Sequence, residues 1–265
     1  MRRLLLFAHY FDTDGAIAPW AKRHLAALRP FVDRTVLLST SALPAPAIWR
    51  AVADDALQLE NLGFDFGMWQ AGLKRESLAG FDELWLVNSS VVGPLSSLEV
   101  ALQRVSNPAL DFWSMTENLG PARHLQSWFL GVRRNAFESD AFRRFFDSIL
   151  PFRDKWAVIS ASEIGFTPWL SQHGFVGAAA WPYAEVIHRV PASVARLYPA
   201  TNPTTTFATD LFALGMPYVK VDLLLGVTPP SASWTHRLLF PVHAARIRRA
   251  LRARGIDPST LLTET

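Results

Sequence analysis

Several polar residues sit where the chain passes from one regular segment to the next, and their types suit recognition of phosphate, flat rings and hydroxyls. Asn61, Gly63, Asp65 and Gly67 stand at the opening of a segment whose periodicity predicts a helix over 65–74. Glycine permits tight turns, a helix N-terminus favours phosphate, and a carboxylate there binds ribose or sugar hydroxyls. A glycine-rich turn with Asp65 as N-cap fits the same letters. Tyr10 and Asp12 close the first apolar run, a ring and a carboxylate suited to stacking on a base and holding its polar edge; loop residues with a half-buried tyrosine are the plain alternative. Asn88 and Ser90 close the run 83–87, and Lys220 stands beside a later strand end, either meeting phosphate charge or simply exposed. Thr116, Glu117 and Asn118 follow DFWSM at 111–115 and offer donors and acceptors to hydroxyls. His124, Gln126 and Trp128 alternate with period two, which on a strand places imidazole, amide and indole on one face; a half-buried strand with one polar face gives the same pattern. Glu163 opens another helical segment, where the helix dipole favours a first-turn acid.

The elements that must position these residues alternate in type. Buried strands are expected at 3–10, 34–39, 57–60 and 83–87, with helices at 17–28, 47–53 and 65–74 between them. This rhythm implies an α/β fold with a mainly parallel sheet flanked by helices. In open α/β sheets ligands bind beyond the carboxyl ends of the strands. Polar residues recur at those ends: His9 to Asp12, Ser39 and Thr40, Glu60 and Asn61, Asn88 to Ser90. Farther on, a helix is expected at 97–105, strands at 111–115 and 126–133, and a helix at 138–149. Ser160 or Ser162 is expected to cap a helix that Gly174 stops. Proline-rich loops, a helix at 208–214, a strand at 218–221 and a basic C-terminal helix closed by Gly255 and Pro258 complete the reading.

Composition narrows the classes. The chain has 265 residues, half of them apolar and 18% charged, which suits one well-packed domain. With no cysteine, a disulfide framework and thiolate zinc sites are excluded, and a reducing, cytoplasmic setting is expected. Met1 to Phe11 opens like a signal peptide, but His9, Asp12 and Asp14 interrupt it, and no apolar run is long enough for a membrane helix. The net charge of +3 reflects a cluster of arginines, 246, 248, 249, 252 and 254, rather than a general nucleic-acid surface. GxGxxG, Walker A, HExxH and GxSxG motifs are absent, and the seven histidines show no metal-ligand spacing.

Five stretches carry more specific information: FAHYFD (7–12), ENLGFDFGMWQAGL (60–73), DELWLVNSSVVGPL (82–95), DFWSMTEN (111–118) and HLQSWFLGVR (124–133). Fainter echoes continue in SEIGFT (162–167), NPT (202–204) and PYVKVDL (217–223). Together they resemble the rhamnan synthesis F family of bacterial polysaccharide glycosyltransferases. The resemblance implies a GT-A-like fold and transfer of a deoxyhexose, rhamnose, from a nucleotide sugar such as dTDP- or GDP-rhamnose to an O-antigen, capsule or cell-wall glycan. With the chain's length, this reads as a single domain over 1–265: a nucleotide-binding half at 1–95, an acceptor half at 96–225 and a helical extension at 226–265. Donor binding falls to Tyr10, Asp12, Asn61, Gly63, Asp65, Gly67, Asn88, Ser90 and Lys220, and acceptor binding to Thr116, Glu117, His124, Gln126 and Trp128. Chain order in such enzymes makes Glu163 the general base, with Asp65 and Glu117 in reserve. Where a metal-dependent enzyme carries a DxD-type loop, this chain reads Asn88-Ser89-Ser90, so metal dependence is expected to be weak. The missing carboxylates equally suit a noncatalytic sugar- or nucleotide-binding module. The basic C-terminal helix is expected either to be solvated or to touch anionic lipid where a lipid-linked acceptor sits.

Overall fold

The computed structural model describes residues 1–10, 16–40, 46–197, 201–228 and 234–263. Its centre is a mixed sheet whose strands are β1 (Arg3–His9), β2 (Arg34–Ser39), β3 (Asp55–Gln58), β4 (Glu83–Asn88), β6 (Phe112–Asn118), β7 (His124–Leu125), β8 (Phe129–Arg133) and β9 (Gly177–Trp181). A separate antiparallel ribbon joins β5 (Val91–Val92) to β10 (Val219–Lys220). The sheet order is β3-β2-β1-β4-β8-β6-β7, with β9 also paired to β6. β3, β2, β1 and β4 run parallel, β8 lies antiparallel between β4 and β6, and β9 is parallel to β6. The expected α/β class with a mainly parallel sheet and flanking helices is what the chain forms.

Strand alternation divides the core into two layers. Leu5, Phe7, Leu37, Trp85, Val87, Trp113 and Phe129 pack with helix α1 (Pro19–Leu28). Leu4, Leu6, Val36, Leu38, Leu84, Leu86 and Leu130 pack against α2 (Phe64–Arg75), and that same layer receives α4 (Asp140–Asp147) and α5 (Ile164–Gln172). Helix α3 (Leu98–Gln103) is capped by Ser97, whose Oγ accepts from Val100 N. A third cluster gathers α6 (Ala208–Ala213), α7 (Val221–Leu225) and α8 (Trp234–Ala253) around Phe212, Leu223, Phe240, Ile247 and Leu251.

Three expectations are corrected, and one strand had no counterpart among them. The helix at 47–53 is only Pro46–Trp49, followed by a turn. The strand at 126–133 is broken, because residues 126–128 leave the ladder between β7 and β8. Neither Ser160 nor Ser162 is a cap: Asp154 caps a helical run that begins at Lys155 and passes through a π-turn at Ile159–Glu163. β9 has the sequence GAAAW, without β-branched residues to signal a strand. Pairing decides it, since a Cβ at Gly177 would lie 2.3 Å from the Phe112 ring on the neighbouring strand.

Gly131 shows the same constraint more severely, with a Cβ there falling 2.1 Å from the Trp113 indole. Gly131→Ala is therefore expected to cost about 1–3 kcal/mol from overpacking. In α5, Gly165 has only Phe145 at 4.0 Å from a Cβ, so Gly165→Ala is expected to stabilise by about 0.5–1 kcal/mol. Urea denaturation of the two variants measures both signs.

Candidate functional site

The carboxyl end of β4 organises a continuous polar chain. Asn88 Nδ2 donates to Asp65 Oδ2 at 2.7 Å, while its Oδ1 accepts from Ser90 N at 3.0 Å and Ser90 Oγ at 2.6 Å. Lys220 Nζ donates to Ser90 Oγ at 3.0 Å and lies 5.9 Å from the Trp128 ring centroid. Lys220 arrives through the β5–β10 ribbon, whose register pairs it with Val91. Trp20 of α1 donates from Nε1 to the Ser89 carbonyl and fixes the turn from the other side.

Asp65 is aimed by its own helix start. Gly63 (φ 76°) and Phe64 (φ 49°) are both left-handed, which turns the first residues of α2 toward β4. The N-cap is Gly63, without a side-chain cap bond, so the reading of Asp65 as a cap is corrected. The glycines serve packing: a Cβ on Gly67 would fall 2.0 Å from the Leu62 carbonyl oxygen, and Gly63 N is spent on the Phe152 carbonyl. That amide is thus not open to a phosphate.

Asp65 and Lys220 keep partial surface exposure yet lie deep among protein atoms, as side chains on the floor of a recess do. Loss of hydration pushes the Asp65 carboxyl up, opposed by Lys155, the Asn88 hydrogen bond and Lys220; Glu163 reinforces the rise. Burial likewise holds the Lys220 ammonium below the ordinary lysine value, with Glu163 and Asp222 opposing. These mutual effects place Asp65, Lys155, Glu163 and Lys220 within electrostatic reach of one another. Glu163 ends the π-turn, and its Oε1 accepts from Ser127 N at 3.0 Å. π-turns of this kind recur at functional sites.

The remaining sequence candidates divide. Thr116 and Gln126 form a layer next to Trp128: Trp128 Nε1 donates to Thr116 Oγ1 at 3.0 Å, and Thr116 Oγ1 to Gln126 Oε1 at 2.8 Å. Gln126 Nε2 then donates to Asn202 Oδ1 at 3.1 Å. The expected single face of His124, Gln126 and Trp128 does not exist, because Gln126 and Trp128 lie in the corner between β7 and β8. His124 Nδ1 is spent on the Ala122 carbonyl at 2.7 Å. Both Glu117 oxygens are engaged, by Arg123 Nε and Tyr183 N, each at 2.9 Å. Tyr10 is exposed directly after β1, and Asp12 lies outside the described residues. Asn61 Oδ1 is buried without a hydrogen-bond partner, as is Thr40 Oγ1 just beyond β2. Lys155 and Thr40 were not singled out by sequence as site residues; Thr40 stood among the polar strand ends, whereas Lys155 had no local signal.

A cleft of about 300 Å³ lies at the opposite, amino end of the sheet, lined in part by Arg3, Glu83 and Trp113. Its carboxylate is satisfied, since Glu83 accepts from Arg3 Nε at 2.7 Å, Trp113 Nε1 at 2.7 Å and Trp85 Nε1 at 3.1 Å. Asp65, Asn88, Ser90 and Lys220 meet instead at the carboxyl end. Among the described residues, no three His, Asp or Glu side chains converge as a metal site. Among the described residues the donor set at Asn88 does not fit a divalent cation: it has one carboxylate, and an ammonium group already holds the Ser90 hydroxyl.

The sequence pattern of the family described as Rhamnan synthesis protein F matches residues 36–240, most of the chain. The chain belongs to this family. Its matched region contains Asp65, Asn88, Trp128, Lys155, Glu163 and Lys220. Virulence protein VirA of Vibrio anguillarum is 24% identical over 194 residues, covering 64% of this chain, and a second VirA sequence of that species matches equally. The chain spans about 62% of the length of these curated relatives. Among solved structures, the catalytic domain of Drosophila beta1,4galactosyltransferase 7, in complex with xylobiose, aligns with TM-score 0.33 and 16% identity. That alignment covers 58% of this chain and 67% of the other.

Asp65 yields a test with a definite sign. Its folded pKa lies above the unfolded value of about 3.9, so its stabilising contribution is full below that value and is lost as pH rises through the folded pKa. Asp65→Asn keeps an acceptor for Asn88 and removes the titration. The variant is expected to melt higher than wild type at pH 7 and to lose that advantage below pH ~4, in calorimetric scans across pH.

Proposed function

We propose that this protein is a nucleotide-sugar-dependent glycosyltransferase of GT-A-like fold. Family membership supports the class. The observation that carries the reading is the convergence of Asp65, Asn88, Ser90 and Lys220 with Glu163 beyond the carboxyl ends of the parallel strands. The family description supports rhamnose as the transferred sugar, and a surface polysaccharide as the acceptor.

Such a reaction breaks the bond between the anomeric carbon and the diphosphate, and the acceptor oxygen takes the carbon while losing its proton. Glu163 Oε2 has no partner among the described residues, whereas Oε1 is anchored by Ser127 N, so the carboxylate is oriented with one oxygen for the acceptor hydroxyl. The ammonium groups of Lys220 and Lys155 face the developing charge of the leaving diphosphate. Asp65, held by Asn88, suits ribose or sugar hydroxyls. Thr40 and Asn61, with unspent buried oxygens near the ends of β2 and β3, suit the polar edge of the base, with Tyr10 as the exposed ring beside them.

A noncatalytic module is the competing reading, because Asn88, Ser89 and Ser90 carry no charge. Asp65 weakens it by bringing a carboxylate from α2 to within 2.7 Å of Asn88. Glu163→Gln is expected to keep donor affinity and lower kcat by about 10²- to 10⁴-fold, the ordinary contribution of a general base. Asp65→Ala is expected to weaken nucleotide-sugar binding in a calorimetric titration while the fold persists. Near wild-type turnover in Glu163→Gln would transfer the base role to Asp65, whose carboxyl pKa is raised by loss of hydration. Turnover is also expected to survive excess EDTA, as measured by nucleotide release with acceptor present.

A further inference from the structure

α8 has two unlike sides. Phe240, Ala244, Ile247 and Leu251 fall on one stripe and are buried against α6 and α7. At 100° per residue, Leu238, Val242, Ala245, Arg249 and Arg252 fall on a single stripe on the opposite side. All five are exposed. The stripe is apolar in its first half and cationic in its second. Leu238 is 63% and Val242 53% exposed, and the end of α7 with the chain after it adds Leu225 at 49% and Val227 at 56%. A solvated helix gains nothing by presenting leucine and valine there, and patches of this kind mark interaction surfaces.

Charge decides what such a surface fits. Residues 234–256 contain six arginines and no acidic residue. Three have internal duties: Arg248 Nη2 donates to the Leu224 carbonyl, Arg254 Nη1 to the Phe212 carbonyl, and Arg246 sits near Asp210. Arg249 and Arg252 are exposed, and Arg252 lies within electrostatic reach of the fully exposed Asp257. No helix among the described residues is long and apolar enough to cross a membrane. An outward stripe of apolar residues continued by arginines, without acids, is the pattern of a helix lying in a bilayer interface. A protein partner with an acidic rim fits the arginines, but Leu225, Val227, Leu238 and Val242 need an apolar phase beside that charge, which an anionic lipid surface supplies.

We propose that α8 and the loop after α7 form a docking face for an anionic lipid bilayer. The face begins close to the site, since α7 starts at Val221 next to Lys220, while most of α8 lies beyond the residues shared with the family pattern. Docking does not depend on the proposed activity.

The experiment is flotation of the full chain with neutral phosphatidylcholine vesicles and with vesicles containing phosphatidylglycerol, at low and high salt. Binding is expected only to the anionic vesicles and is expected to weaken with salt. Replacing Arg249 and Arg252 together by alanine is expected to reduce partitioning about 30-fold, following the usual contribution of basic residues near a charged membrane. Leu238→Ser with Val242→Ser is expected to reduce it as well, with the melting temperature confirming that the outward stripe is not part of the core. Equal flotation with neutral and anionic vesicles, or none with either, overturns the proposal. So does a concentration-dependent dimer in light scattering that the serine variant abolishes, which would assign the face to a second copy of the chain. Should a variant fail to fold, the salt and lipid dependence of the wild-type chain still decides.

Discussion

The Asn88 side chain holds together three parts of the chain that no local sequence rule connects. It stands at the end of β4, paired with Ala8 on β1 in the middle of a sheet buried on both faces. Its Nδ2 can only donate and its Oδ1 can only accept, so it meets a carboxylate on one side and the Ser90 amide and hydroxyl on the other. A carboxylate at this position would face Asp65 with like charge, at a depth where repulsion is poorly screened. The amide instead lets Asp65 stay at the sheet end, fixes the β4–β5 turn, and through Ser90 gives Lys220 its place.

The two ends of the sheet treat polar groups in opposite ways. At the amino end, Glu83 is buried but saturated by Arg3, Trp85 and Trp113, tying β1, β4 and β6 together. Removing one partner from such a group leaves an uncompensated charge, which makes it a structural tie. At the carboxyl end, Asp65 is raised, Lys220 is depressed, and Thr40 and Asn61 retain buried oxygens with nothing to bond. Unspent polar capacity inside a recess is what a ligand uses. The contrast separates the end whose polar groups are spent on the fold from the end at which we propose the chemistry.

The junction of β7 and β8 shows how the sheet shapes that recess. β6 pairs with β8 from Phe112 to Ser114 and with β7 at Glu117 and Asn118. Between those pairings, Met115 and Thr116 face four residues, Gln126 to Phe129, so the partner strand carries two extra. Such bulges bend a strand and redirect its side chains. Here the bulge swings Trp128 toward Lys220 and exposes Ser127 N to Glu163, while Gln126 and Thr116 satisfy one another next to it.

By itself the sequence determined the strands β1, β2 and β4, helix α2 and the mainly parallel sheet, because short apolar runs and 3.6-residue periodicity are local signals. It also offered Asn61, Asp65, Asn88, Ser90, Glu163 and Lys220 as candidates, because their residue types recur at strand ends and in the family-like segments. The tertiary structure alone decided what each does. β9 exists because Phe112 needs a glycine opposite it, not because alanines favour strands. Asp65 became a buried partner of Asn88 rather than a cap, since two left-handed residues redirect its helix. Glu117 and His124 look like site residues by type, yet both Glu117 oxygens and His124 Nδ1 are spent on neighbours. Lys155 joined the site from a short helix that packs near α2. Which oxygen is left without a partner depends on contacts between residues far apart in the chain, and no period or local motif records those contacts.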